Sequence, residues 1–157
     1  MIIKWKPLIV SLLISFGVGA VSALLTMNSM REVYTSLNRP PLSPPSWVFG
    51  VVWTILFLLM AVSAYMVYTS DANGDRKRNA LFVYGVQLIF NLLWSIFFFN
   101  RQWYWFSFAW LIVLWFLILT MIIMFSNISR KAALLQIPYL LWVTFAGYLT
   151  AGVAILN

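Results

Sequence analysis

The stretch Val33-Tyr34-Thr35-Ser36-Leu37-Asn38-Arg39-Pro40-Pro41-Leu42-Ser43-Pro44-Pro45-Ser46-Trp47-Val48-Phe49-Gly50-Val51-Val52-Trp53 decides how the rest of the chain is read. Four prolines fall within six residues, Pro40 to Pro45. Each fixes φ, lacks an N–H and biases its predecessor towards extended backbone. The segment is therefore expected to be non-helical: a stiff, extended loop that turns into a helix with Ser46 as N-cap and Trp47 just inside. An ordered loop with aromatics at both ends, set over a membrane bundle, reads either as a lid or as a rigid connector with interfacial rings.

Working outward, the surroundings are apolar. The chain of 157 residues is 64% hydrophobic and 8% charged, where soluble domains average roughly 25% charged. Five runs are long enough to cross a bilayer: Pro7 to about Met27, Trp47 to Tyr68, Ala80 to Phe99, Trp103 to Phe125 and Ala132 to Leu156 (7-27, 47-68, 80-99, 103-125 and 132-156). The expected fold is an all-α integral membrane protein, a bundle of five transmembrane helices with the proline-rich first loop as lid. It forms a single membrane domain over 1–157. Lys4 and Lys6 before an apolar run, with Val21-Ser22-Ala23 after it, also resemble a signal peptide. Ser15, Gly19 and Ala23 at four-residue spacing favour a retained helix, because small residues in register let backbones approach. Asn100-Arg101-Gln102 is so short that the third and fourth spans should form an antiparallel hairpin. Pro138, near the start of the fifth span, should kink or tighten it without breaking it.

Residue types exclude much chemistry. There is no cysteine and no histidine, so thiolate chemistry, a metal site and the usual haem ligation are not expected. Glu32, Asp71 and Asp75 are the acidic residues, all in expected loops. A proton-coupled transporter would keep an ionisable group inside its helices. The net charge of +7 is scattered over loops, which suits anionic lipid and not nucleic acid. Lys4, Lys6, Arg76, Lys77, Arg78, Arg130 and Lys131 share one side of a five-span topology, against Arg31, Arg39 and Arg101 on the other. The positive-inside rule then puts the N-terminus in the cytoplasm.

Aromatic residues make up 18% of the chain, nine of them tryptophans. Trp5, Trp47, Trp103 and Trp105 lie near span edges, as in an interfacial belt. Trp110 and Trp115 have no polar neighbour at helical spacing and read as packing or lipid-facing. Asn91 and Trp94 share a face of the third span, with Gln87 a turn earlier. An intramembrane amide is either helix–helix glue or a donor into a cavity. Trp142, Ala146 and Leu149 put a large ring beside a small residue on one face. Gly147 and Ala151 form a second small pair suited to packing or dimerisation. Trp53 and Phe57 lie one turn apart below the lid. Trp53, Asn91, Trp94 and Trp142 can thus form an aromatic box with an amide, suited to a flat, mostly apolar ligand. Arg39 and Arg101, on the lid side, are candidates to pair with a ligand carboxylate.

These residues carry a resemblance. Tyr34, Leu37, Arg39, Pro40, Pro44, Pro45, Trp47 and Trp53, then Asn91-x-x-Trp94, Trp105, and Pro138-Tyr139-Leu140-x-Trp142-x-x-Phe145-Ala146-x-x-Leu149 are similar to the signature of the translocator protein family. These are the TspO/MBR, or tryptophan-rich sensory, proteins, formerly called peripheral benzodiazepine receptors. The resemblance implies a multi-pass protein of the cell membrane, usually a homodimer, with a ligand pocket under the first loop. It implies binding of porphyrins such as protoporphyrin and of isoquinoline-carboxamide and benzodiazepine-receptor ligands. The site carried over would include Ala23, Trp53, Asn91, Trp94, Trp105, Trp142, Ala146 and Leu149; Tyr34 and Phe57, beside the lid, complete the expected ligand-binding set. Porphyrin would be ligand or substrate, with no separate cofactor. Light- and oxygen-dependent degradation of protoporphyrin, with Trp53 and Trp142 as the oxidisable residues, is the enzymatic alternative; no conventional acid–base pair supports other catalysis. Transport of lipophilic tetrapyrroles or sterols is a third reading. Val33, Val51, Ala109 and Thr150 depart from the family pattern, and the chain ends Leu149 to Asn157 without the Tyr-then-Lys/Arg element linked to cholesterol, so cholesterol handling is not expected.

Overall fold

The computed structural model describes residues 2–157; Met1, the first residue of the basic start, lies outside them. The helices are α1 (Trp5–Ser36), α2 (Ser46–Tyr68), α3 (Gly74–Ser95, continued by a π-helical turn Ile96–Asn100), α4 (Tyr104–Ser126) and α5 (Arg130–Leu156). All five are long and apolar enough to cross a membrane. The protein is a five-helix, multi-pass membrane protein with no strand among the described residues.

Two boundaries correct the sequence reading. Val33 to Ser36 are not loop: they form the last turn of α1, so the first loop is Leu37 to Pro45. At 1.5 Å per residue the 32 residues of α1 extend about 48 Å, against roughly 30 Å of hydrocarbon. The polar residues after Met27 end the apolar run but not the helix, because nothing breaks the backbone before the prolines. Glu32 consequently lies on α1, and Asp75 in the first turn of α3, where Asn73 caps the helix by accepting from the Asp75 N–H at 2.8 Å. Ser46 does not cap α2: Pro45 occupies the N-cap position and no side chain caps there. Ser129 does cap α5, accepting from Ala132 N–H at 3.3 Å. That helix runs through Pro138 unbroken.

Packing divides the bundle into a solid end and a hollow end. Met60, Ala64 and Val67 of α2, Leu88 of α3, Ile118, Met121 and Phe125 of α4 and Ala133 of α5 are buried in one core. Towards the first loop, α1, α2, α3 and α5 surround an open space instead. The solid end also holds Lys4 and Lys6, Arg76 to Arg78, Arg130 and Lys131, since these open α1, α3 and α5. Lys4 N–H donates to Tyr65 Oη of α2 at 2.8 Å and Lys77 Nζ to the Tyr68 and Ser70 carbonyls at 3.1 and 2.9 Å.

α1 is the least enclosed helix and is fastened by its small residues. Ser11 Oγ donates to the Ala61 carbonyl at 2.6 Å, Ser15 hydrogen-bonds Tyr84 of α3, and Asn100 Nδ2 reaches the Leu25 carbonyl at 2.9 Å. Gly19 faces Phe57 so closely that a Cβ there would lie 3.0 Å from the ring. Ser15 and Gly19 of the small-residue stripe are therefore packing surface, in line with its spacing, whereas Ala23 is exposed. Gly147 likewise packs inside the bundle, where a Cβ would stand 3.3 Å from Leu111 of α4.

Trp110 and Trp115 do have polar partners, contributed by other helices. Trp110 Nε1 donates to the Phe90 carbonyl at 2.9 Å and its ring stacks on Phe90 at 4.3 Å; Trp115 Nε1 donates to Thr144 Oγ1 at 2.8 Å. Spacing along one helix does not reveal such pairs. Trp110→Phe should keep most of the stacking and lose the hydrogen bond, costing about 1 kcal/mol. Thermal unfolding in detergent measures this, and an unchanged midpoint would mean the bond contributes nothing net.

Candidate functional site

The hollow end holds a cavity of about 670 Å³, bounded by α1, α2, α3, α5 and the first loop. Its volume lies within the range of small-molecule sites. On α1 the lining runs from Phe16 to Tyr34, about 27 Å at 1.5 Å per residue. Among the described residues no carboxylate lines it.

A chain of rings makes the α2–α5 wall. Tyr34 meets Phe49 edge-on at 5.1 Å, Phe49 meets Trp142 at 5.9 Å, and Trp142 meets Trp53 at 6.5 Å and nearly perpendicular. Trp53 lies over Phe57 at 5.8 Å, tilted by 34°. Positions 49, 53 and 57 recur every four residues, which sets all three rings on one face of α2. A second aromatic group comes from α3, where Trp94 stacks on Phe98 at 5.2 Å and meets Phe99 edge-on at 6.1 Å. Phe98 follows from Trp94 by helical spacing. Phe99 does not: the π turn over 96–100 brings it inward as well, with both rings buried. Beside Trp142, Ala146 and Leu149 keep the α5 face open.

The floor is polar. Asn91 Nδ2 donates to Tyr139 Oη at 2.8 Å, and Tyr139 donates onward to Gln87 Oε1 at 2.7 Å. All three side chains are buried, and Asn91 also lines the cavity. Asn91 is thus helix–helix glue between α3 and α5 and a cavity residue at once. Trp94 and Trp142 each line the cavity with a buried indole N–H that has no partner among the described residues. Such donors are rare in finished interiors and call for a functional explanation where they occur.

The roof is the first loop, and it is fastened on both sides. Tyr34 Oη donates to the Pro44 carbonyl. Tyr148 Oη donates to the Pro41 carbonyl at 2.7 Å, and Asn157 Nδ2 to the Asn38 carbonyl at 2.8 Å while its Oδ1 accepts from Asn38 N–H at 3.3 Å. Buried Pro40 rests on Gly152, where a Cβ would fall 2.5 Å from the proline Cγ. Leu42 takes a φ of 71° at the tip of the loop. The mouth is lateral: Ala20, Ala23 and Met27 of α1 and Trp47, Gly50 and Thr54 of α2 line the cavity yet are exposed.

Of the residues expected from sequence, Ala23, Tyr34, Trp53, Phe57, Asn91, Trp94, Trp142, Ala146 and Leu149 line this cavity, as does Arg39. Trp105 does not. It is 59% exposed and its ring meets Phe108 on its own helix, because α4 takes no part in the cavity. Arg101 also lies outside, with its guanidinium 5.8 Å from the Trp103 ring. Arg31, Phe49, Phe98 and Phe99 line the cavity beyond the set expected from sequence; helical spacing from Trp53 and Trp94 could have found Phe49 and Phe98, while nothing in the pattern marks Arg31 or Phe99.

Comparison with known proteins agrees with this architecture. The TspO/MBR family model matches residues 10–156. The chain belongs to the TspO/MBR family. Among TspO/MBR relatives, the tryptophan-rich protein TspO of Chlorobaculum tepidum is 33% identical over 141 residues, covering 90% of this chain and 89% of that protein. The tryptophan-rich sensory protein of Cereibacter sphaeroides is 34% identical over 128 residues, 82% of this chain and 78% of its own length. The translocator protein of Bos taurus is 32% identical over 149 residues, 92% and 86% of the two chains.

Proposed function

We propose that this TspO/MBR protein is a membrane receptor or sensor that binds porphyrins and related flat, largely apolar ligands in the cavity beneath the first loop. The observation that carries the proposal is the cavity wall: Trp53, Trp94 and Trp142 line one space with Phe49, Phe57 and Phe98. Each ring in contact with a flat ligand contributes about 0.5–1.5 kcal/mol beyond area burial. Binding is to the ring system, since neither histidine nor cysteine exists in the chain to ligate a central iron, and a metal-free porphyrin is therefore a suitable ligand. The bilayer is the cell membrane, with the basic, solid end of the bundle on the cytoplasmic side.

Tryptophan-fluorescence quenching by protoporphyrin, in the dark and then under illumination, tests this for the wild type and Trp142→Phe. Saturable quenching with an unchanged porphyrin spectrum is the expected result. Absence of saturable quenching would sink the reading. The edge-to-face pair of Trp53 and Trp142 at 6.5 Å, both on the cavity wall, favours a second reading, light- and oxygen-dependent degradation of the bound ring. Its mark would be loss of the porphyrin spectrum under light, slowed by Trp142→Phe.

A further inference from the structure

The cavity is apolar along its walls, yet two guanidinium groups stand at its loop end. Arg31 and Arg39 both line it. Among the described residues neither side chain makes a hydrogen bond or an ion pair; the ion pair that is present joins Arg78 to Asp75 at the far end of the bundle. A guanidinium carries five N–H donors in a planar fork matched to carboxylates. Two such forks without acceptors, beside a carboxylate-free cavity, form an anion-recognising edge on an aromatic site.

Arg39 is held in place from three directions. Its neighbours on both sides are fixed to α5: Asn38 through the Asn157 side chain, and Pro40 by its seat on Gly152. Its guanidinium lies over the Tyr34 ring, 4.5 Å from the centroid. Tyr34 is itself buried and tied to Pro44. Arg31 lies three residues before Tyr34 on α1, hence on the same helix face. The two cations therefore flank one buried tyrosine, and Arg39 is preorganised, which spares a ligand the cost of ordering it.

We infer that Arg31 and Arg39 are the specificity-determining residues of this cavity, reading the acidic edge of a flat apolar ligand. The inference rests on the aromatic-cavity reading above and adds to it the chemical class of the ligand's edge. It replaces Arg101 with Arg31 as the second cation, since Arg101 is directed to Trp103 outside the cavity. Both arginines stand exposed at the loop end, where charge-assisted guanidinium–carboxylate bonds are stronger than neutral ones but are weakened by solvent. An uncharged ester of the same ring would keep the stacking and lose this contribution.

The test uses protoporphyrin, which bears two propionates on one edge, and its dimethyl ester. Both are titrated by tryptophan quenching in the same detergent micelles against wild type, Arg31→Gln, Arg39→Gln, the double variant and Arg101→Gln. Preference is the ratio of the two affinities, and its change between variants cancels unequal partitioning into micelles. We expect the preference for the diacid to fall by roughly three- to thirtyfold in the double variant and by part of that in each single one. Ester binding should be unchanged throughout, which also reports that the variants are folded. Arg101→Gln should match wild type. A preference unchanged in the double variant, equal losses for acid and ester, or a loss in Arg101→Gln would overturn the inference while leaving tetrapyrrole binding intact. Failure of both ligands to quench wild type saturably would overturn the tetrapyrrole reading and the inference with it.

Discussion

Tyr139→Phe is expected to destabilise the protein by about 2–4 kcal/mol, a large loss for removing one oxygen atom. The phenol accepts from Asn91 Nδ2 and donates to Gln87 Oε1, and all three side chains are buried. Phenylalanine fills the same space but leaves a donor and an acceptor without partners, and each such orphan costs about 1–3 kcal/mol. Thermal unfolding in detergent measures the loss. The cost belongs to the stranded groups and not to the missing bonds alone, so a second substitution should return part of it. Gln87→Leu in the Tyr139→Phe background removes the stranded acceptor, and the double variant should be more stable than the single one. A Tyr139→Phe midpoint within experimental error of wild type would show that the floor of the cavity is not held by this network.

Gly152→Val should open the roof while leaving the solid end of the bundle intact. A side chain at position 152 would begin 2.5 Å from Pro40 Cγ and 2.6 Å from its Cβ. Pro40 is buried and cannot change rotamer as a flexible side chain would. The loop itself must therefore lift, and with it the Asn38–Asn157 and Tyr148–Pro41 hydrogen bonds. Two or three such bonds at about 0.5–1.5 kcal/mol each correspond to roughly tenfold weaker porphyrin binding. Amide exchange at Asn38, whose N–H is held by the Asn157 side chain, should accelerate, with Gly152→Ala showing a smaller version of both effects. Because the helix tolerates valine better than glycine, loss of α5 itself would not be the cause. Unchanged exchange at the Asn38 amide would mean that the loop is a rigid connector and that its contact with Gly152 is incidental.

The spans are legible in the sequence because a membrane leaves few options: a backbone crossing it must satisfy its own hydrogen bonds, and apolar length reports that directly. Cavity residues are legible where they repeat along one helix, as with Trp142, Ala146 and Leu149, Asn91 and Trp94, or Trp53 and Phe57. What lies between helices is not. Tyr139 stands out only as a letter of a family signature, though it joins Asn91 to Gln87. The partners of Trp110 and Trp115 sit on other helices. Phe99 turns inward through a π turn that no periodicity announces. Arg101 and Arg31 are both cations on the loop side, and only the packing of α1 against the cavity separates them. Trp105 matches the family signature, yet it sits on a helix that does not reach the cavity. The end of α1 escapes hydropathy, which marks where the bilayer stops and not where the helix does.

The sideways mouth between α1 and α2 bears on how any affinity for this protein should be expressed. Small, exposed residues such as Ala20, Ala23 and Gly50 frame an opening directed at the flank of the bundle and not along its axis. The reservoir it samples is then the acyl phase. A lipophilic compound reaches that phase according to its partition coefficient, so its mole fraction among lipids, and not its molarity in buffer, sets occupancy. Adding empty vesicles at fixed total compound dilutes that mole fraction and shifts a saturation curve to the right, without any change in the protein. Dissociation constants from different lipid-to-protein ratios become comparable only after conversion to this two-dimensional scale.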